Sequence, residues 1–206
     1  MRIKTDYDDL PEVMTLPCEV PQNEGAKLLY SILMSDNVSG LLDLNKAELI
    51  KYIPEISDMI GYDQNNPHHY LDLWNHTLEA LRYSKKNLEI RMCLLFHDIS
   101  KPRCCVKKDG ISHYPNHNQV SSEMAREILE KMNWSENFIK NVCDMIAVHD
   151  SYIDKTTAIE KTEFAKKLLQ VQFCDTLAHN ISMMYDKLQY IKNMITLIKK
   201  LDEEKK

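Results

Sequence analysis

The sequence predicts an all-α protein: a helical bundle with a helical extension at its N-terminal side and a long helix at its C-terminal end. Three observations carry this expectation. The last glycine is Gly110 and the last proline is Pro115, so residues 116–206 contain neither helix breaker. The same stretch is rich in Glu, Lys, Leu, Met and Ala, which lose little side-chain freedom in a helix. Apolar residues recur at intervals of three and four, as at Leu71, Trp74, Leu78 and Leu81, which gathers them on one helical face.

Taken in order, GAKLLYSILMS (25–35) reads as a first helix, and LNKAELIKYI (44–53) as a second that Pro54 stops. GYDQNNPHH (61–69) is a loop, and residues 70–84 form the next helix. NLEIRMCLLFHDI (87–99) is apolar through its middle, which predicts a central, buried helix. Residues 100–118 hold Pro102, Gly110 and Pro115 and read as one long irregular segment, a kind of loop that often carries function. Residues 118–132, 135–150 and 162–180 read as three further amphipathic helices. Leu177, Ile181, Met184, Leu188, Ile191, Ile195 and Ile198 then alternate steps of four and three. Such a heptad stripe fits either a long helix lying on the body or a dimer-forming helix. LDEEKK (201–206) reads as a frayed, solvated end.

Composition bounds the function. With 206 residues the chain suits one domain with appendages, long enough to bury roughly 70% of its unfolded surface without a structural metal or disulfide. A net charge of -5 excludes a global basic footprint for nucleic acid, though not a local one. No apolar run is long enough to span a membrane. MRIKTDYDDLPEV carries charges where a secretion signal needs an apolar core, and six cysteines without a CxxC pair read as reduced thiols, so a cytoplasmic protein is expected. The four glycines, Gly25, Gly40, Gly61 and Gly110, are too far apart to cradle phosphate, which excludes a dinucleotide fingerprint and a P-loop.

The chemistry-bearing residues are polar groups in apolar settings. His97 and Asp98 end the most apolar helix, where a carboxylate beside an imidazole is costly without a partner; a divalent cation is one such partner. His76 shares a face with Leu73 and Ala80, His117 opens a helix, His149 closes another, and Asp175 interrupts VQFCDTLA. Each alone reads as a satisfied core or cap residue. Together, on separate helices, they point to one shared site. Arg103, Lys107 and Lys108 form a local basic run that reads either as a phosphate-attracting patch or as wet surface. His68 and His69 stand in a pre-helix loop at the expected mouth of a pocket, and His179 reads as a partner of Asp175 or as surface. A zinc site from Cys104, Cys105, His113 and His117 is disfavoured, because vicinal cysteines seldom both reach one ion.

His76, the doublet in LLFHDISKP and the distal Asp175 resemble the four-ligand signature of the HD-domain metal-dependent phosphohydrolases. Ser100 stands where that family usually has glycine, while Lys101 and Pro102 follow its pattern. NPHHYLDLWNHTLEA, HYPNHNQVSSEMAREIL, AVHD and FCDTLAHN are similar to the HD portion of bacterial CCA-adding tRNA nucleotidyltransferases, and residues 24–62 resemble the helical region before it. The resemblance covers roughly residues 24–182 and divides the chain into an N-terminal extension (1–23), that helical segment (24–62), an HD domain (63–184), and a C-terminal helix with its tail (185–206). No Gly-Ser pair with paired aspartates precedes it here, so nucleotide addition by this chain is not expected.

The resemblance implies one or two divalent ions per chain, manganese, magnesium, nickel or iron, held by His76, His97, Asp98 and Asp175, with His117 and His149 matching the positions of a second ion. It implies a metal-dependent phosphohydrolase or phosphodiesterase acting on a nucleotide or RNA-derived phosphate ester through activated water. Lys101, on the ridge of the site, would neutralise phosphate charge, with Arg103, His113 and His68 as substrate contacts and His117 and His149 as catalytic groups. The other implied reading is a non-catalytic HD-fold module that binds RNA or protein. The expected partners are a small phosphate ester or nucleotide, RNA as a further candidate, no membrane, and either no partner copy or a second copy docked through the C-terminal helix.

Overall fold

The computed structural model describes residues 10–15 and 18–204. The expected N-terminal extension and frayed tail therefore fall partly outside the described residues. Helices α1 (Glu24–Leu33), α2 (Val38–Tyr52) and the short α3 (Ile56–Met59) come first, followed by α4 (Leu73–Arg82) and α5 (Leu88–Phe96). A short α6 (Lys101–Cys104) leads into a two-stranded hairpin, β1 (Val106–Lys108) and β2 (Ile111–His113). Then come α7 (His117–Lys131), α8 (Glu136–Ala147), the short α9 (Lys155–Glu160), α10 (Thr162–Ala178), a 3-10 turn (Ile181–Met183) and α11 (Tyr185–Glu203). The all-α expectation holds, and no described helix is long and apolar enough to cross a membrane.

Side-chain caps start the helices that frame the site. Asp72 accepts from the Asn75 amide at α4, Asn87 from Ile90 at α5, and Ser135 from Phe138 at α8. Each satisfies one of the amides that a helix start leaves unpaired. Helix α5 is buried at every residue but Glu89 and touches α1, α4, α7, α8 and α10, so it is the central rod. Its buried Arg91 donates to the carbonyls of Leu33, at 2.6 Å, and Ser35, at 2.8 Å, which fixes the end of α1 to the core.

Several elements differ from expectation. Helix α2 starts at Val38, six residues before the predicted start, and α5 ends at Phe96, leaving His97–Ser100 as a turn. Segment 100–118 is not irregular. Asp109 (φ 52°) and Gly110 (φ 77°) make a two-residue turn with both φ angles positive, which matches the twist of a hairpin. Asn65 and Asn66 donate to Gly110 O, at 2.8 Å, and Ser112 O, at 3.1 Å, and so fasten the hairpin to loop 61–69. Helix α9, unpredicted, is capped by Asp154.

The heptad stripe does not lie on one helix, because α10 stops at Ala178 and α11 starts at Tyr185. Leu177 ends up on α10 and Ile181 in the 3-10 turn, while Ile191, Met194 and Ile198 of α11 are buried against the chain's own body. The end of α11 is held rather than frayed as far as it is described: Asp202 pairs with Lys166 at 2.9 Å. The six cysteines are free.

Candidate metal centre

Three helices and two turns deliver the expected polar residues to one place. His76 comes from the middle of α4, His97 and Asp98 from the turn after α5, His117 from the first position of α7, His149 from the turn after α8, and Asp175 from the last turn of α10. Asp175 thus lies near the end of its helix. His76 and His97 are fully buried, and Asp98, His149 and Asp175 nearly so.

The backbone sets the tautomers. The Nδ1 of His97 lies 2.8 Å from Leu94 O, that of His149 2.7 Å from Ile146 O, that of His117 2.9 Å from Tyr114 O, and that of His76 3.3 Å from Ala178 O. A carbonyl only accepts, so each Nδ1 carries the proton and each neutral ring presents the lone pair of Nε2. All these Nε2 atoms face carboxylates. His76 Nε2 is 3.0 Å from Asp175 Oδ1, His97 Nε2 is 3.2 Å from Asp98 Oδ2, and His117 Nε2 is 3.2 Å from Asp98 Oδ1. Yet His97 Nε2, Asp98 Oδ1 and His117 Nε2 make no hydrogen bond of acceptable geometry, though each is buried. Buried lone pairs and carboxylate oxygens that approach without bonding are a donor set fit for a divalent cation. Among the described residues the donors fall into three groups: His76 with His97 and Asp175, Asp98 with His117 and His149, and His69 with His179 and the same His76.

Charge follows the same layout. Burial opposes protonation of His97, but Asp98 and Asp175 outweigh it and hold the imidazole above its usual range. His117 is likewise opposed by burial yet raised to about 10 by Asp150 and Asp98. Burial pushes the Asp98 carboxyl up, but His97 and Lys101 prevail and hold it well below the carboxylate range.

Lys101 is not on a ridge. It is buried, and its ammonium lies 2.7 Å from Asp98 Oδ2, 2.9 Å from Gln64 Oε1 and 3.3 Å from His69 Nε2, so all three N–H groups have partners. Burial and the Lys101 charge lower His69 to about 2, keeping it neutral.

A cavity of about 220 Å³ opens over the cluster. Its lining includes His68, Lys101, His113, His117 and His149, as expected, with His68 and His113 exposed at the rim. Arg103 is exposed on α6 and does not line it, nor do Lys107 and Lys108, which sit on the exposed β1. A larger hollow of about 690 Å³ near Tyr152 and Lys161 contains none of these donors.

Sequence reasoning missed two contributors, Asp150 and Gln64, while His69 lines the cavity as expected. Asp150 places Oδ2 3.2 Å from His117 Nε2 and 3.5 Å from His149 Nε2; the signal was a second His-Asp dipeptide, His149–Asp150. His69 packs edge-on against His76 and close to His179, and Gln64 anchors Lys101. His179 proves to be a partner of Asp175, its Nδ1 donating to Asp175 O at 2.8 Å. Cys104 and Cys105 belong to no donor group among the described residues.

The fold and the cluster together define an all-α protein with a buried histidine–aspartate centre able to hold a metal ion. No family model matches the chain. It is 30% identical over 143 residues to the CC-adding tRNA nucleotidyltransferase of Thermus thermophilus, a match that takes in 65% of this chain. That match supports a relation to the tRNA nucleotidyltransferase family, and the chain spans about a third of the length of that curated relative.

Proposed function

We propose that this chain is an HD-type, metal-dependent phosphohydrolase or phosphodiesterase acting on a nucleotide or RNA-derived phosphate ester. One observation carries the reading: four imidazoles, each fixed through Nδ1 by a backbone carbonyl, aim Nε2 at a shared aspartate in a buried cluster beneath a cavity. His76, His97, Asp98 and Asp175 would hold the cation. Mixed nitrogen and oxygen donors suit manganese, magnesium, nickel or iron better than calcium, which prefers all-oxygen shells. A cation there supplies Lewis acidity toward a phosphoryl oxygen and a water acidified for attack.

The chain's own groups do the rest. The backbone carbonyls hold each imidazole in its working tautomer, as carbonyl and carboxylate partners of metal-binding histidines do. Lys101 balances the charge of Asp98 and would have to give up a present partner to reach a phosphate. His117 and His149 face the cavity and are the groups placed to hold a second ion, or to orient water and pass a proton to the leaving oxygen. His68 and His113 stand where the substrate body would emerge. The cavity, about 220 Å³, is smaller than the roughly 300–1,000 Å³ of a typical ligand pocket, which suits the phosphate end of a larger molecule.

The test is turnover of bis(p-nitrophenyl) phosphate with each of the four ions. Turnover with manganese or nickel that disappears in His97→Ala and Asp98→Ala supports the hydrolase. The tRNA enzyme similarity also favours a second reading, a binding module without turnover, and no hydrolysis with any ion would leave that one standing.

A further inference from the structure

Helix α8 stops at Ala147, so His149 is placed by the turn that follows and not by a helix. Its ring stands edge-on to those of His97 and His117, with centroids 5.2 Å and 5.3 Å away, and its Nε2 lies 3.8 Å from Asp98 Oδ1. Residues 149–153 form neither helix nor strand, so their backbone groups need other partners. Two later helices supply them. Gln172, fully buried on α10, donates to His149 O at 3.0 Å and to Ser151 O at 2.6 Å. Lys187 of α11 donates to Asp150 O at 3.2 Å, and the Tyr190 hydroxyl of α11 accepts from the Ile153 amide at 2.7 Å. Three successive carbonyls and one amide of the turn are thus held by side chains from outside it.

These bonds have a fixed sense. Both N–H groups of Gln172 are spent on carbonyls, so its Oε1 can only accept, and the Tyr190 hydroxyl donates to it at 3.3 Å. Tyr190 therefore meets the turn twice, once directly and once through Gln172. Its ring is held too: Tyr152 packs edge-on against it with centroids 4.5 Å apart, and the Lys187 ammonium lies 5.9 Å from its centroid. Ile191, Met194 and Ile198 anchor α11 in the core. Helix α11 starts at Tyr185, beyond the residues 24–182 that carry the resemblance, so this hold on a site turn comes from outside the resembling stretch.

We infer that Tyr190 is a positioning residue: through Gln172 and the Ile153 amide it sets where the His149 ring stands at the cavity. The inference rests on the hydrolase reading above. A working group displaced by about 1 Å can cost about 100-fold in rate, so one hydroxyl away from the cavity has leverage over turnover.

The test sets Tyr190→Phe, which removes the hydroxyl and keeps the ring, against Ile198→Ala, which loosens the buried far end of α11 without touching the turn. Two readouts are taken on the full chain: hydrolysis of bis(p-nitrophenyl) phosphate at saturating manganese, and the His149 ring signals of the metal-free protein by nuclear magnetic resonance. Tyr190→Phe should lower kcat about tenfold with KM unchanged, and should shift the His149 signals while those of His76 stay. Ile198→Ala should lower the thermal midpoint further than Tyr190→Phe does, yet leave kcat and the His149 signals as they are. A kcat in Tyr190→Phe equal to that of the unaltered chain, or lowered no more than in Ile198→Ala, overturns the assignment. If the unaltered chain turns over nothing with any ion, the hydrolase reading falls, and the ring signals alone decide the placement of His149: no shift in Tyr190→Phe overturns that as well.

Discussion

The side chains of His76 and His97 have no exposure and Asp175 has 7%, whereas on the other side of Asp98 the exposure is 2% at His149, 14% at His117 and 52% at Asp150, so water reaches that side through His117 and Asp150. The donor types are the same, but the access to water is not. Buried donors have no hydration to fall back on, so the inner set must be balanced by charge at all times. The outer set can exchange its partners for water. The difference teaches an order: an ion in the inner set should be tightly held and slow to leave, and one in the outer set should be weaker and exchangeable.

The largest effect that could break this comparison lies at Lys101. Its ammonium meets Asp98 Oδ2, the oxygen that faces the inner set, and both groups are nearly buried. Lys101→Met leaves that carboxylate without its cation. Removing one partner of such a pair costs about 3–5 kcal/mol. Urea unfolding of the metal-free variant should show this loss. Manganese should shrink the deficit, because an ion in the inner set takes over the charge balance. An equal deficit with and without manganese would mean that the inner set holds no ion.

Legibility in the sequence divides along the same line. His76, His97 and Asp175 are polar residues inside apolar strings, and that contrast is visible without a structure. Asp150 sits in VHDSY, a polar turn marked only by its repeat of the His-Asp dipeptide, and Gln172, which donates to the carbonyls on either side of it, lies elsewhere in the chain. Lys101 read as a residue on the ridge of the site because its partners Gln64 and His69 come from a separate loop. The hairpin escaped because strands of three residues are too short for alternation to register, although Asp109–Gly110 is a hairpin turn signal. Helix α9 has six residues, too few for periodicity to register. The stripe from Leu177 to Ile198 ran through a break because residues 179–184 contain neither glycine nor proline to mark it.

Proton competition sharpens the comparison at an intermediate scale. Carboxylates oppose burial and favour the protonated ring at His97 in the inner set and at His117, raised to about 10, in the outer one, so protons compete with a cation for both Nε2 atoms. A cation needs their neutral form and must expel those protons. Affinity should therefore rise with pH, about tenfold per unit for each proton displaced, and for the outer ion should level off near the His117 value of about 10. Calorimetry in two buffers of different ionisation heat counts the protons released. An outer-ion affinity that stays flat between neutral pH and that value would contradict the pairing of His117 with Asp98 and Asp150.

The smallest effect is at Ser100, and it tests whether the two sets can be tuned separately. Ser100 Oγ donates to His117 O at 2.7 Å and accepts from Ser121 Oγ at 2.9 Å, while its amide donates to Ser121 Oγ at 3.2 Å. The serine that replaces the resemblance's glycine thus ties the His97–Asp98 turn to the first residue of α7. It does so without backbone strain, since its φ is -88°. Ser100→Gly removes the hydroxyl bonds but keeps the turn, at a cost of about 1 kcal/mol. His117 would then be less firmly placed, while His76, His97 and Asp175 have no contact with Ser100 among the described hydrogen bonds. Outer-ion affinity should fall by less than about tenfold and inner-ion affinity should hold, since roughly 1.4 kcal/mol separates tenfold steps. If both fall together, the turn and not the individual set is the unit that the sequence builds, and the division between inner and outer donors loses its energetic meaning.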